Sequence, residues 1–347
     1  MRYKIAIILV VVFFLNQGRS QDIHFSQFNE SPLTLNPAYA GMYSGDYRFV
    51  MNFKEQWAVI KNSYKTYAAS FDCTLLKNSK GLKSTGIGLN FFQDIAGTSK
   101  TKTTRIDLDI SQTVYLTSES DLTLGVGFSY MDMSANYLQL LWATQWDGQE
   151  FDEGLPTIES FTFLSKKAPD ISGGLLYRKF DINGYPLELG FSVYHFLRPE
   201  VGMVLLPQGG YDVIPLKFAF HGNKEFNFSR NGNWGGHALG FATLQRTAKE
   251  VNTGFLLRRD FGMVSQYTGF YRNLNIYLGA LYRWGDAIVI MSKVLYKGAY
   301  SLGLSYDINI SPLAAATRYR GGFEISLSYN GLFTNDPVAT PKTLKAF

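Results

Sequence analysis

Two stretches near the end of the chain, Ser301–Ile310 (SLGLSYDINI) and Phe323–Asn330 (FEISLSYN), alternate apolar and polar residues almost without error, and similar short stretches recur along most of the sequence. A strand sends successive side chains to opposite faces. Leu302, Leu304, Tyr306, Ile308 and Ile310 therefore share one face, and Ser301, Gly303, Ser305, Asp307 and Asn309 the other. One face suits lipid and the other a watery lumen. The fold this predicts is all-β: a transmembrane antiparallel up-and-down β-barrel. On that assignment Leu304→Arg or Leu327→Arg should cost roughly 2–4 kcal/mol near mid-membrane, and Ser305→Arg should be tolerated better.

Helical alternatives fail on length. Met1, Arg2, Tyr3 and Lys4 precede an apolar run from Ile5 to Leu15, with Gly18 and Ser20 after it. That run is far short of the roughly 18–20 residues of a spanning helix, and the order of charged start, apolar middle and small residues reads as a secretory signal peptide over residues 1–20. No later apolar stretch approaches helix-spanning length. A closed barrel is the remaining way to satisfy backbone polar groups in lipid. A secreted β-sandwich is the soluble alternative, and the apolar, aromatic face carried by so many strands argues against it.

Removing residues 1–20 takes away Arg2, Lys4 and Arg19 and no acid, so the formal charge falls from +5 to +2. The basicity is mostly targeting signal, and nucleic-acid binding, which needs a concentrated basic patch, is not expected. Cys73 is the single cysteine, which excludes an internal disulfide and any multi-cysteine metal site.

The chain divides into the signal peptide, an arm over residues 21–45, a barrel over 46–333 and a tail over 334–347. Pro32, Pro37 and the Asn36-Pro37 step break the arm, which reads as a periplasmic arm or partial lumen plug. Strand candidates run Tyr47–Trp57, Ser63–Leu76, Thr85–Asp94, Thr103–Leu116, Leu122–Met133, Asp170–Phe180, Leu187–Leu197, Leu216–Phe226, His237–Gln245, Asn252–Arg259, Val264–Tyr271, Ile276–Trp284, Ala287–Leu295, Tyr300–Ile310 and Gly321–Asn330. They set an expectation of about fourteen strands, within a range of twelve to sixteen. Asn136–Ala168, with Trp142, Trp146 and Gly154, reads as a long external loop, and Pro199–Tyr211 as a second one.

Chemistry is sparse. His24, His195, His221 and His237 show no ligand spacing, and no GxSxG, P-loop or dinucleotide fingerprint is present. No enzyme, cofactor or metal is expected. His195 is placed in an apolar strand, where a hydrogen-bonded structural role is expected. Arg105, Asp107 and Asp109 fall on one face, opposite Ile106, Leu108 and Ile110. They read as a hydrated lumen row, with ion conduction as the functional alternative. Arg258-Arg259, and Arg318 with Arg320, read as solvated charge at strand ends, the alternative being headgroup or partner contacts.

The segments Gln21–Phe28 (QDIHFSQF) and Leu33–Gly41 (LTLNPAYAG) resemble the opening of the PorP/SprF family of outer-membrane proteins of Bacteroidota. The resemblance continues through Gln56-Trp57, Asp94–Gly97, Leu189–Pro199, Leu278–Arg283, Ser305–Asp307 and Gly322–Tyr329. Singly these motifs are weak, and their order is specific. The resemblance implies an outer-membrane barrel of the type IX secretion and gliding machinery. Its partners would be outer-membrane lipid and a secreted, adhesin-like cargo protein that it helps export or anchor at the surface. Alternatives are a core translocon component contacting periplasmic ring lipoproteins, or a passive porin-like channel. The matching residues Asn36, Pro37, Gly41, Trp57, Asp94, Gly97, His195, Pro199, Tyr306, Asp307, Glu324 and Tyr329 are expected to be structural, with Asn36-Pro37 shaping the arm.

Overall fold

The structure, a computed structural model, describes residues 24–333 except 59–62, 78–82, 137–139, 141, 153, 157–164, 183, 203–208, 230–232, 265–270 and 313. The proposed signal peptide and tail lie outside the described residues. Fourteen strands close into a barrel. In chain order they are β1 Tyr47–Gln56, β2 Tyr64–Lys77, β3 Lys83–Ala96, β4 Thr101–Thr117, β5 Ser120–Ser134, β6 Ser165–Phe180 and β7 Pro186–Tyr194. The second half comprises β8 Lys217–Asn227, β9 Trp234–Gln245, β10 Ala248–Asp260, β11 Leu274–Arg283, β12 Ala287–Tyr296, β13 Tyr300–Asn309 and β14 Arg320–Gly331. Each pairs antiparallel with its sequence neighbours, and β1 closes on β14 from Tyr47↔Gly331 to Gln56↔Gly322.

The candidate strand Val264–Tyr271 is corrected. Met263–Val264 pairs only with Tyr271–Arg272, in a separate two-residue ladder between β10 and β11, and 265–270 lie outside the described residues. A closed ring of antiparallel neighbours needs an even strand number, so one of the fifteen candidates had to fall out. The expected loop Asn136–Ala168 also ends early, because β6 begins at Ser165.

The alternation sets the faces. On β13, Leu302, Leu304 and Tyr306 point outward while Ser301, Ser305 and Asp307 are buried. On β4, Ile106, Leu108 and Ile110 are outside, and Arg105, Asp107 and Asp109 inside. Phe49, Met51, Leu89, Phe128, Leu278 and Ile290 extend the outer apolar band around the wall, a surface that only acyl chains solvate at no cost. Aromatic groups cluster at both rims, Tyr47, Tyr300 and Tyr329 at one and Trp57 with Tyr64 at the other, as interfacial girdles do.

The two rims differ. The barrel's first and last strand ends, Tyr47 and Gly331, share one end, and the long connections 135–164 and 195–216 both open at the other. We refer to these as the termini end and the long-loop end.

The lumen departs from the watery interior expected. Strands β9–β12 turn Leu239, Phe241, Leu256, Leu281, Val289 and Met291 inward, and Phe28, Leu33, Leu35 and Tyr39 of the arm cover them in one buried cluster. Phe28 stacks on Phe241 with centroids 5.1 Å apart. A barrel holding such residues needs something apolar inside it to remove them from water. Ser305 is likewise 3% exposed, and its Oγ accepts from Gln27 Nε2 at 3.0 Å. The tolerance expected for Ser305→Arg is therefore withdrawn, because the arm occupies the space a guanidinium would need. Leu304→Arg is still expected to cost about 2–4 kcal/mol. Urea titration of the detergent-folded protein measures it, with Leu304→Phe as a control near wild type.

Candidate functional site

The arm, His24–Gly45, runs through the barrel from the long-loop end to the termini end, and each stage is held by polar groups that the alternation turns inward. At the long-loop end Glu324 of β14 accepts the backbone N–H groups of Ser26 and Gln27 at 2.7 and 3.0 Å. Lys54 of β1 lies 3.0 Å from the same carboxylate and donates to His24 O at 3.0 Å. Asp307 of β13 accepts from Ser26 Oγ at 2.8 Å and pairs with Arg283 of β11 at 3.0 Å, while Arg283 also hydrogen-bonds Ser26 Oγ. His24 Nδ1 sits 3.0 Å from Glu250 of β10. Buried charges persist only when paired and hydrogen-bonded, and here the arm's own backbone supplies part of the pairing.

Midway, Lys293 pairs with Glu30 at 2.6 Å, and Asn52 Nδ2 donates to Glu30 O at 3.2 Å. The arm then crosses to the opposite wall, where Tyr194 Oη donates to Thr34 O and Ser192 Oγ to Leu35 O, both at 3.0 Å. Asn36 turns the chain. Its Oδ1 accepts from Ala38 N at 2.9 Å, capping the short turn Pro37–Tyr39, and its Nδ2 reaches Leu175 O at 3.1 Å and His221 Nε2 at 3.1 Å. If Asn36 donates there, His221 carries its hydrogen on Nδ1, which faces Tyr39 Oη at 3.4 Å, and Tyr39 in turn donates to Glu188 at 3.0 Å.

From Thr34 to Gly41 the arm lies along a belt of small residues, one from each of seven consecutive strands. The register aligns Thr74 with Gly86, Gly86 with Ser111, Ser111 with Gly125, Gly125 with Gly174, Gly174 with Ser192 and Ser192 with Ala219. A Cβ at Gly174 would meet the Asn36 amide, one at Gly125 the Pro37–Ala38 backbone and one at Gly86 the Ala40 carbonyl. The belt lets the backbone of the arm approach the backbone of the wall. At the termini end Asp72 receives Arg48 bidentately, both contacts 2.9 Å, and Gly41 N at 2.8 Å, while Ser111 Oγ donates to Ala40 O at 2.6 Å.

The motif residues do not converge on one centre. Asp307 and Glu324 come together on the start of the arm, and Asn36, Pro37 and Gly41 dock in series on the belt. Asp94 accepts from Thr66 Oγ1 at 2.7 Å between β2 and β3. Trp57, at positive φ, stacks edge-on against Tyr64, and Gly97 opens the turn before β4. Tyr306 and Tyr329 are on the outer side, Tyr306 toward lipid and Tyr329 in the rim cluster. His195 is not within a strand as expected: β7 ends at Tyr194, and His195, at φ 65°, pairs with Asp170 at 2.7 Å, with buried Pro199 following. Arg258 is corrected too. It is 1% exposed and paired with Glu225 at 2.9 Å and Asp260 at 3.2 Å, whereas Arg259 covers Trp234 and Arg318 and Arg320 are exposed. In the long loop, backbone N–H groups of Glu150 and Gln149 hold the Asp147 carboxyl below its ordinary range.

Sequence reasoning missed Lys54, Arg283, Arg48, Ser26 and Gln27. A lone cation at an inward position such as Lys54 was the available signal, since a barrel interior of this size demands a counter-charge. Among the described residues no cluster of His, Cys, Asp and Glu is arranged to hold a metal ion.

A closed antiparallel barrel with an apolar belt outside and polar clamps inside is an outer-membrane β-barrel. More particularly, the chain belongs to the PorP/SprF family of type IX secretion system membrane proteins, whose family model matches residues 17–329. The fold is similar to that of BamA from Haemophilus ducreyi lacking POTRA domains 1–3 (9% identity, 83% of this chain and 70% of that one, TM-score 0.43). It is also similar to CdiB from Acinetobacter baumannii (7%, 82% and 60%, 0.42) and to the P. putida toluene transporter TodX (9%, 85% and 92%, 0.44). No curated protein sequence matches the chain.

Proposed function

We propose that this barrel, exported by residues 1–20 and inserted in the outer membrane with its long-loop end outward, helps export or anchor a secreted, adhesin-like partner protein. It does so without catalysis and without conducting solutes. The arm of residues 21–45 acts as its plug, and residues 334–347 as a tail on the periplasmic side. The observation that carries this reading is the filled lumen: the arm and buried ion pairs from Glu250 to Asp72 occupy the space a porin leaves open.

Deleting the chain is expected to abolish surface display of one large secreted protein while leaving uptake of small solutes unchanged. Normal display with altered permeability would favour a channel instead. Co-purification from detergent extract separates the dedicated-partner reading, which yields that secreted protein, from a core translocon role, which yields periplasmic ring lipoproteins.

A further inference from the structure

Every neighbouring pair of strands in the barrel but one is consecutive in the chain and tied by the connection between its members. The exception is the seam where β1 meets β14. Closing it costs the chain entropy of bringing together segments from opposite ends of the barrel sequence. The ladder from Tyr47↔Gly331 to Gln56↔Gly322 is therefore the part of the wall with the least covalent support.

The two halves of the seam are held differently. At the termini end Asp46 N donates to Gly331 O at 2.8 Å, and Tyr47 packs edge-on against Tyr329. Toward the long-loop end the arm lies across both strands. From β1, Asn52 Nδ2 donates to Glu30 O and Lys54 Nζ to His24 O. From β14, Glu324 accepts the Ser26 and Gln27 N–H groups, and Ser326 Oγ donates to Gln27 Oε1 at 3.1 Å. Gln27 Nε2 donates to Glu324 O at 3.2 Å and to Ser305 Oγ of β13 at 3.0 Å. These partners face one another across the seam, because Asn52 is in register with Ser326 and Lys54 with Glu324. Gly303 of β13, opposite Ser326, makes the room, since a Cβ there would meet the Gln27 amide, which is 1% exposed.

We propose that residues 26–30 form a latch over this seam. The arm runs covalently into β1 and grips β14 and β13 through Gln27 and Glu324, so it supplies the tie that the chain itself lacks there. Releasing residues 26–30 opens the long-loop half of the seam sideways toward lipid, before the hairpin-connected interfaces yield. The latch does not depend on which protein the barrel carries.

Gln27→Ala removes the three side-chain bonds of Gln27 and leaves the Lys54–Glu324 pair in place. Amide hydrogen exchange of the full chain in detergent reads the result, with heat-modifiable gel migration confirming a closed barrel. Amides in 51–56 and 321–327 are expected to exchange at least tenfold faster than in wild type, and those of β4 and β5 at the wild-type rate. Unchanged exchange at the seam overturns the latch, and so does an equal rise in β4 and β5, which would be a general loosening of the wall. Should Gln27→Ala not fold, the wild-type chain in graded, sub-denaturing urea gives the answer. Amides in 26–30, 51–56 and 321–327 are then expected to open together and at lower urea than β4 and β5, and opening of the arm without the seam overturns the proposal.

Discussion

Replacing Glu324 by alanine should release the start of the arm and lower stability by about 3–5 kcal/mol, the range for removing one partner of a buried ion pair. Three groups are affected together: the Ser26 and Gln27 N–H groups lose their acceptor, and the Lys54 ammonium, which is 2% exposed, loses its counter-charge and keeps only His24 O. None of them can turn to water while the arm stays in place, so the arm should leave. Urea titration in detergent reads the stability change, and limited proteolysis reads new cleavage before Ser31. Adding Lys54→Met should recover part of the loss by removing the orphaned charge, leaving the two unsatisfied backbone donors, and the double-mutant cycle isolates the ion pair. Wild-type protease resistance together with a shift below about 1 kcal/mol, the size of an exposed pair, would mean that Glu324 does not hold the arm.

The second large effect is expected at Gly125. A valine there drives its side chain into the backbone of Pro37 and Ala38, which has no rotamer with which to yield. Small-to-large changes in packed interiors cost about 1–3 kcal/mol, and collision with backbone puts this one at the upper end. The neighbouring Val126 faces lipid on the same strand, 44% exposed, so Val126→Leu is the matched control and should be neutral. If Gly125→Val and Val126→Leu titrate alike, the arm is not seated on the small-residue belt.

Much of the wall was legible in the chain. The faces of β4 and β13 follow from alternation alone, and so does the inward aim of Asp307 on β13 and Glu324 on the adjacent β14. The segment Val264–Tyr271 misled because a short run of β-forming residues looks the same in a loop hairpin as in a wall strand. Arg258 misled because its position near a strand end suggests solvent; Asp260, two residues on, shares its face, but the second counter-charge, Glu225, becomes visible only when β8 and β10 face the same lumen. Gly86, Gly125 and Gly174 each fall inside a strand, β3, β5 and β6. That they line up into one belt depends on register between strands, which no single strand records.

Period-two alternation is a property of adjacent residues, and it was enough to determine a lipid-facing cylinder, its approximate strand number and the membrane it suits. What fills the cylinder was decided by tertiary structure, because the contacts that hold the arm join groups as far apart as Ser26 and Glu324, 298 positions along the chain. Such pairs carry no local pattern. They exist only once β14 meets β1 and the ring closes around the arm.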